Sequence, residues 1–159
     1  MKKYSLIREQ FVAAETGTVW SFFSNPHNLS VITPAEMNFK VLTSNLPQKI
    51  YSGLIINYTV SPLWSITLNW MTEIKDVKEG EFFIDDQRKG PYSLWRHKHT
   101  FIASGQGTLM KDEVEYALPF SFLGRLIQFL VVKKKLNDIF NYRSKMIAEI
   151  FSTTNKTLS

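Results

Sequence analysis

The sequence predicts an α+β fold in which a curved antiparallel β-sheet of about six or seven strands wraps around a long C-terminal helix, with two short helices after the first strand. Two short helical patterns follow the first strand, and strand-like segments alternate with turn signals through the middle of the chain. The last part of the chain has apolar residues at helical spacing. A length of 159 residues suits one domain, predicted at residues 1–152, with a frayed polar tail at residues 153–159.

The N-terminal part of the chain predicts one strand and two short helices. Residues Tyr4–Ala14 have the composition of a strand, and Thr16–Phe23 carry the apolar residues of a short helix. Asn25-Pro26 ends this helix, because the residue before a proline avoids the helical conformation. A second short helix is predicted at Pro26–Ile32, and it stops before Thr33-Pro34.

The middle of the chain predicts six further strands. Glu79-Gly80, Gly90-Pro91 and Gly105-Gln106 are turn or break signals between segments rich in β-branched and aromatic residues. Short connections favour antiparallel pairing between neighbours in sequence. The predicted strands lie at residues 38–43, 54–60, 65–77, 81–88, 93–103 and 108–118.

The segment Phe122–Phe151 predicts a helix roughly 45 Å long at a rise of about 1.5 Å per residue. Most of its apolar residues are three, four or seven positions apart and form one stripe, which only an extended, curved sheet can cover. Where such a sheet curls around the helix without touching it everywhere, a cavity remains. The stripe comprises Phe122, Leu126, Phe129, Leu130, Leu136, Ile139, Phe140, Ile147, Ile150 and Phe151. The basic residues predicted to lie largely outside it are Arg125, Lys133, Lys134, Arg143 and Lys145.

Composition excludes several classes of site and partner. The chain has no cysteine, which excludes disulfides, thiolate nucleophiles and cysteine-based metal centres. The net charge is +5, but Lys133–Lys135 is the one strongly basic cluster, so weak contact with anionic membranes is predicted and nucleic-acid binding is not. No apolar stretch approaches the roughly 20 residues of a membrane span, and no signal peptide follows Met1, so a cytoplasmic location is predicted.

The most informative stretch places Trp95, His97, His99 and Phe101 at alternate positions, which puts all four side chains on one face of a strand. If Gly105-Gln106 is a two-residue loop, this strand pairs with the next one in a defined register. The apolar faces of both strands then point inward together. The predicted cross-strand pairs are Phe101 with Met110, His99 with Asp112, His97 with Val114, and Trp95 with Tyr116.

The buried histidines and aspartate have three interpretations. His99 and Asp112 can form a hydrogen bond within a packed core, without chemistry. Together with His97 they can anchor the polar end of a ligand in an apolar pocket. They can also act as acid/base catalysts or as metal ligands, because two histidines and one carboxylate suit a metal ion, although no spacing motif singles out such a site. No metal ligand and no cofactor is assigned from the sequence.

Other candidates depend on the predicted strands. Trp70 lies on a central strand and contributes either to the core or to a pocket, and Arg88 can meet an anionic group of a ligand or solvent. The neighbours Asp85 and Asp86 are not predicted to form a pair of catalytic carboxylates, because successive residues of a strand point to opposite faces. The predicted ligand-binding residues are Trp70, Arg88, Trp95, His97, His99, Phe101, Asp112 and Tyr116.

The chain carries the short motifs Val19-Trp20-Ser21-Phe22-Phe23, Asn25-Pro26-His27-Asn28-Leu29, Ile32-Thr33-Pro34, Asp86-Gln87, Gly90-Pro91, Trp95-Arg96-His97-Lys98-His99-Thr100-Phe101, Asp112, Tyr116 and Pro119. These motifs resemble those of the START/Bet v 1-like superfamily, also called SRPBCC, and in particular a bacterial subgroup described as ligand-binding proteins. The resemblance covers residues 3–151 and implies a helix-grip fold. It implies a protein that binds a small, mostly apolar molecule, such as a lipid, a quinone or a polyketide, between the sheet and the last helix. Relatives labelled cyclase/dehydrase suggest the alternative, a polyketide cyclase/dehydrase-type enzyme. The resemblance supplies no catalytic residues, and His99 and Asp112 are the candidate acid/base pair from the predicted strand pairing.

Overall fold

The computed structural model describes residues 1–61, 66–119 and 125–156. Its described residues form one seven-stranded antiparallel sheet, with the strands in the order β1-β7-β6-β5-β4-β3-β2. The strands are β1 (Tyr4–Val12), β2 (Lys40–Val41), β3 (Ile55–Val60), β4 (Leu68–Lys78), β5 (Phe82–Lys89), β6 (Leu94–Ser104) and β7 (Gly107–Ala117). The helices are α1 (Thr16–Phe23), two short 3₁₀ helices (Pro26–Ser30 and Ala35–Met37) and α2 (Arg125–Lys156).

The register of the β6–β7 hairpin confirms the sequence prediction. Ser104 pairs with Gly107, and Gly105 takes a left-handed φ of 59°, as a tight two-residue turn requires. Every predicted cross-strand pair is present, including His99 opposite Asp112 and Trp95 opposite Tyr116. The inward face of β6 therefore carries the two histidines next to each other.

Two irregularities in the β4–β5 pairing bend the sheet. The register shifts between Ile74 and Asp76, so that Lys75 is the extra residue on β4. Because of this insertion, Ile74 and Val77 both contribute to the core although they are three positions apart. A second shift, between Met71 and Thr72, leaves Arg88 as the extra residue on β5. The bends turn β4 and β5 around the space that α2 faces.

The region after α1 departs from the predicted boundaries. The second predicted helix is a 3₁₀ turn at Pro26–Ser30, in which the side chain of Asn25 accepts a hydrogen bond from the backbone amide of His27. A further 3₁₀ turn at Ala35–Met37 was not predicted. The strand predicted at residues 38–43 is reduced to Lys40–Val41, since the chain enters it through a left-handed residue, Asn38.

The long helix α2 packs on the concave face of the sheet through an apolar stripe that includes Leu136, Phe140, Ile147 and Phe151. The predicted helix start at Phe122 lies outside the described residues. At the other end the helix continues to Lys156, beyond the domain boundary predicted at residue 152. In the described part of the chain, no helix has both the length and the hydrophobicity needed to cross a membrane.

The core is divided into two clusters. The larger one gathers around α1 and joins Trp20 and Phe23 to Phe101 on β6 and to Ile147 and Phe151 on α2. The smaller one joins Val114 and Tyr116 on β7 to Leu136 and Phe140 on α2. The space between sheet and helix is bordered by both clusters.

Candidate functional site

A cavity of about 450 Å³ lies between the sheet and α2. Strands β3 to β6 supply one side, and α2 supplies the other through side chains that include Leu136, Ile139 and Phe140. Residues of α1 and of the short helices, such as Phe22 and Leu29, close one end. A volume of this size falls within the roughly 300–1,000 Å³ that is usual for small-molecule pockets.

Four aromatic side chains form a continuous part of the cavity lining, which we call the aromatic wall: Tyr58, Trp70, Tyr92 and Trp95. The rings of Tyr58 and Trp70 stack with centroids 5.8 Å apart, and Trp70 meets Trp95 edge-on at 5.4 Å. Tyr92 and Trp95 lie 4.8 Å apart. The hydroxyl of Tyr58 is paired with Thr72 at 2.9 Å, and burial raises the pKa of Tyr58 far above its ordinary value. The wall therefore presents neutral, mostly apolar ring surface.

Polar side chains gather on the neighbouring part of the lining, where Asp85 of β5 joins His97 and His99 of β6. Nε2 of His99 lies 3.0 Å from Oδ2 of Asp85, and Nε2 of His97 lies 2.9 Å from Oδ1 of Asp112 on β7. We call these four residues the His/Asp cluster. Asp112 is not among the residues that line the cavity, so it contacts the histidines from behind.

The pairing of β6 with both of its neighbours explains why two carboxylates meet two imidazoles. His97 lies opposite Asp85 on β5, and His99 lies opposite Asp112 on β7. The imidazole centroids are 3.7 Å apart. Each ring thus has one nitrogen near Asp85 and the other near Asp112. Nδ1 of His97 is 3.7 Å from Oδ2 of Asp85. Nδ1 of His99 is 2.9 Å from Oδ1 of Asp112. The last contact lacks hydrogen-bond geometry, and this nitrogen has no other partner among the described residues.

The four groups of the cluster shift one another's pKa. Burial alone would lower the pKa of both histidines, but the carboxylates of Asp112 and Asp85 outweigh it at His99, whose pKa is raised. At His97, burial and the charge of His99 prevail and the pKa is lowered. Burial would raise the pKa of both aspartates, yet the imidazoles lower it, most strongly for Asp112. The carboxylates thus favour the charged form of His99, and the imidazoles favour the charged forms of Asp85 and Asp112.

Asp85 was not recognised as a site residue from the sequence. Asp85 and Asp86 do point to opposite faces of β5, but alternation along the strand does not show which of them faces inward. Phe82 and Ile84 make the outer face of β5 more apolar in sequence than the inner face, which carries Phe83 beside Asp85 and Gln87, so apolar alternation points to the wrong face. The inward position of Phe83 against His99, with ring centroids 4.2 Å apart, is the feature that identifies the face.

Arg143 of α2 lines the cavity. The prediction that it lies outside the apolar stripe is therefore wrong. It follows Leu136, Ile139 and Phe140 by seven, four and three residues, which places it on their face of the helix. Its guanidinium carbon lies 5.1 Å from the ring centroid of Phe140. Its Nε is buried and makes no hydrogen bond within the described ranges. A positive charge therefore faces the cavity.

The eight side chains predicted to bind a ligand lie in different environments. Trp70, Trp95, His97 and His99 line the cavity, whereas Asp112 supports the histidines from behind. A ligand contact for these residues stays a prediction.

Besides Asp112, three further predicted ligand-binding residues are not part of the described cavity lining. Phe101 faces inward, but α1 covers this end of β6 and Trp20 meets its ring at 5.5 Å. Tyr116 is covered by Tyr4 of the adjoining strand β1, at 5.5 Å between ring centroids. Arg88 is the extra residue of the β4–β5 irregularity, which turns it to the surface, where it pairs with Glu73.

The basic run Lys133–Lys135 does not form one patch. Successive residues of a helix point about 100° apart, and the three lysines have different surroundings. Lys134 pairs with Asp138 at 3.2 Å, while Lys135 lies 3.8 Å from Glu36 and borders the cavity. Weak contact with anionic membranes remains a prediction.

Comparison with solved structures identifies the fold. A START superfamily protein from Mycobacterium smegmatis superimposes with a TM-score of 0.70 at 14% identity, over 94% of this chain and 98% of that protein. The chain has the START/Bet v 1-like helix-grip fold. Within this fold it is also similar to the major latex-like protein 151 of Panax ginseng, with a TM-score of 0.66 at 12% identity over 94% and 97% of the two chains. Ara h 8.0201 gives a TM-score of 0.57 at 14% identity over 92% and 98%. No protein-family model and no curated protein matches the sequence.

Proposed function

We propose that the protein binds a small, mostly apolar molecule in the cavity between the sheet and α2. The observation that supports this most directly is the combination of a 450 Å³ space with a largely apolar lining and one cluster of polar groups. Pockets for small molecules commonly combine a hydrophobic and aromatic lining with a few placed polar groups. The resemblance to ligand-binding SRPBCC proteins points to the same class of ligand.

The two kinds of lining suggest how such a molecule is oriented. Its apolar body contacts the aromatic wall and the apolar side chains of α2, such as Leu136 and Ile139. Its polar end, a hydroxyl or a carbonyl oxygen, faces His97 and His99. Asp112 and Asp85 hold the two imidazoles in place, and Nδ1 of His97, 3.7 Å from Oδ2 of Asp85, is the ring nitrogen that can serve the polar end of the ligand. Lipids, quinones and polyketide-like aromatics combine these features.

Binding is tested by isothermal titration calorimetry with three probes: a medium-chain fatty acid, a short-chain alkyl benzoquinone and a tricyclic anthraquinone. Ile139→Trp should fill the cavity and weaken binding of an accepted probe at least tenfold. Leu130→Trp is the matched control, since Leu130 is an exposed residue of the same helix, and it should leave binding within about twofold. The proposal is wrong if none of the three probes binds, or if both variants bind like the wild type.

A second candidate function is proton transfer to a bound substrate, as in the cyclase/dehydrase alternative with His99 and Asp112 as an acid/base pair. The supporting observation is that both imidazoles face the cavity with a carboxylate behind them. Mass spectrometry of a probe recovered after incubation distinguishes a catalyst from a carrier. A catalyst changes the mass or structure of the probe, and His99→Ala should abolish this change while binding persists. Unaltered recovery of every bound probe argues against catalysis.

A further inference from the structure

We propose that Asp85, His97 and His99 form a binding site for a divalent first-row transition-metal ion, with open coordination positions toward the cavity. The proposal goes beyond ligand binding and is tested without an organic ligand. In the described part of the chain, these three residues each offer a donor atom within 4.8 Å of the others. All three line the cavity.

The distances between the donor atoms suit a common metal ion. Oδ2 of Asp85 is 3.0 Å from Nε2 of His99 and 3.7 Å from Nδ1 of His97. Ligand bonds of about 2.0–2.2 Å place neighbouring donors of one ion roughly 3–3.5 Å apart. Small side-chain rotations therefore bring all three atoms into the first coordination sphere. The alternating histidines of β6 and the facing aspartate of β5 hold them on adjacent strands.

Asp112 occupies the position of an outer carboxylate that orients the ligand imidazoles. Its Oδ1 lies 2.9 Å from Nε2 of His97 and 2.9 Å from Nδ1 of His99, the nitrogens on the side away from Asp85. Metal-binding histidines usually direct their second nitrogen to such a group. If both rings carry their proton toward Asp112, then Nδ1 of His97, Nε2 of His99 and Oδ2 of Asp85 direct lone pairs toward one region. A metal ion placed between these three atoms would accept all three lone pairs.

The surrounding charges are compatible with a cation. Two carboxylates, Asp85 and Asp112, contribute to the cluster, and Arg143 is the charged group that faces it from α2. The two carboxylates outnumber the guanidinium of Arg143, and a cation held between the carboxylates and the imidazoles would offset this excess of negative charge. Tyr58, also nearby, is neutral because burial raises its pKa.

The donor set narrows the class of metal. Two imidazoles and one carboxylate, in a chain without cysteine, suit Zn²⁺, Fe²⁺, Co²⁺, Ni²⁺ or Cu²⁺ rather than Mg²⁺ or Ca²⁺, which prefer oxygen ligands. Three protein ligands leave positions free on the cavity side. A metal held there would face the polar end of any molecule in the cavity.

The test uses chelator-treated full-length protein without a histidine tag, and Zn²⁺ as the probe. Calorimetry should show one Zn²⁺ per chain, with affinity lowered at least 100-fold by Asp85→Asn or His97→Gln. Asp112→Asn keeps the three ligands and should lower affinity by about 10- to 100-fold. His27→Gln is the control, since His27 is exposed and its ring contacts the carbonyl of Leu46 outside the cluster, and it should leave affinity within twofold.

A second measurement keeps the proposal testable if a cluster variant does not fold. Nitrogen-detected NMR spectra of the histidine rings of the wild type, recorded with and without one equivalent of Zn²⁺, should show shifts at His97 and His99 and none at His27. The proposal is overturned if Zn²⁺ fails to bind, if only His27 shifts, or if folded Asp85→Asn and His97→Gln proteins bind Zn²⁺ as tightly as the wild type. Any of these results would leave a purely hydrogen-bonded cluster.

Discussion

Asp112 is a buried carboxylate that serves two imidazoles at once. It accepts a hydrogen bond from His97 and lies in contact with His99, and its pKa is held well below its usual range by these neighbours even though burial would raise it. A charge buried in this way is stable only with its partners. Because Asp112 does not line the cavity, its effect on stability can be measured apart from a direct ligand contact.

Replacing this carboxylate should therefore destabilise the protein strongly. We expect Asp112→Ala to lower the free energy of unfolding by about 3–5 kcal/mol, because the buried histidines lose their counter-charge. Urea denaturation followed by circular dichroism measures this. Glu113→Ala is the control on the same strand: Glu113 faces outward and pairs with Lys111 at 3.0 Å, so its loss should cost less than about 1 kcal/mol. Equal costs for the two variants would contradict the assigned role of Asp112.

Residue-level prediction from the sequence succeeded where a tight turn defined the register. The Gly105-Gln106 turn placed His99 opposite Asp112, and the structure confirms this pair. Asp85 was missed because β5 and β6 are joined through Gly90-Pro91, a connection from which no register can be derived. The sequence predicts a solvent-facing Arg143 because charged residues of an amphipathic helix usually face water. In the structure, Arg143 faces inward because the buried carboxylate of Asp85 attracts its guanidinium.

At the level of elements, the close approach of β1 and β7 depends on a residue without a side chain. Gly107 begins β7, and a Cβ atom added there would collide with the backbone oxygen of Val12 and with the ring of Phe11 on β1. Gly17 lies in α1 with open space around it. A side chain at position 107 would therefore clash with β1, whereas a side chain at position 17 would clash with nothing.

Alanine substitutions at the two glycines should change stability in opposite directions. We expect Gly107→Ala to destabilise by about 1–3 kcal/mol, because β1 or the ring of Phe11 must move. Gly17→Ala should stabilise by about 0.5–1 kcal/mol, since alanine favours the helix and restricts the unfolded chain. Thermal unfolding of both variants against the wild type gives the sign of each change. A neutral Gly107→Ala would mean that the strands do not approach as closely as described.

The limits of the strands are predicted most accurately where a glycine turn separates two of them. The strands around Gly80 and Gly105 lie close to their predicted limits, because both glycines take the left-handed conformation that turns the chain back. The segment at residues 38–43 has strand-like residues, but only Lys40 and Val41 form regular ladder pairs with β3, while Leu42 and Thr43 both hydrogen-bond Asn57 of that strand. Strand formation at a sheet edge depends on pairing that composition does not reveal.

At the level of the whole molecule, the attachment of α2 explains how a cavity can persist within a folded domain. Polar contacts tie the helix to the edge strand β1, where Arg8 donates to Asn137 and the side chain of Gln10 donates to the carbonyl of Ser144 at 2.8 Å. Apolar contacts of Ile147 and Phe151 fasten its C-terminal half to the larger core cluster. Between these attachments the helix faces the aromatic wall across open space. The cavity thus lies between two fixed surfaces.

This arrangement predicts that ligand binding stabilises the entire domain. The cavity exists only when sheet and helix are packed together, so a ligand that occupies it binds the native state and not the unfolded chain. A probe at 100 times its dissociation constant should add about 2.7 kcal/mol to the free energy of unfolding. For a chain of this size that corresponds to a rise of about 5–10 °C in Tm, which differential scanning calorimetry measures. The rise should persist in Leu130→Trp and shrink in Ile139→Trp, in which the added ring competes for the same volume. A saturating probe that leaves Tm unchanged would mean that it binds the unfolded chain as tightly as the native state.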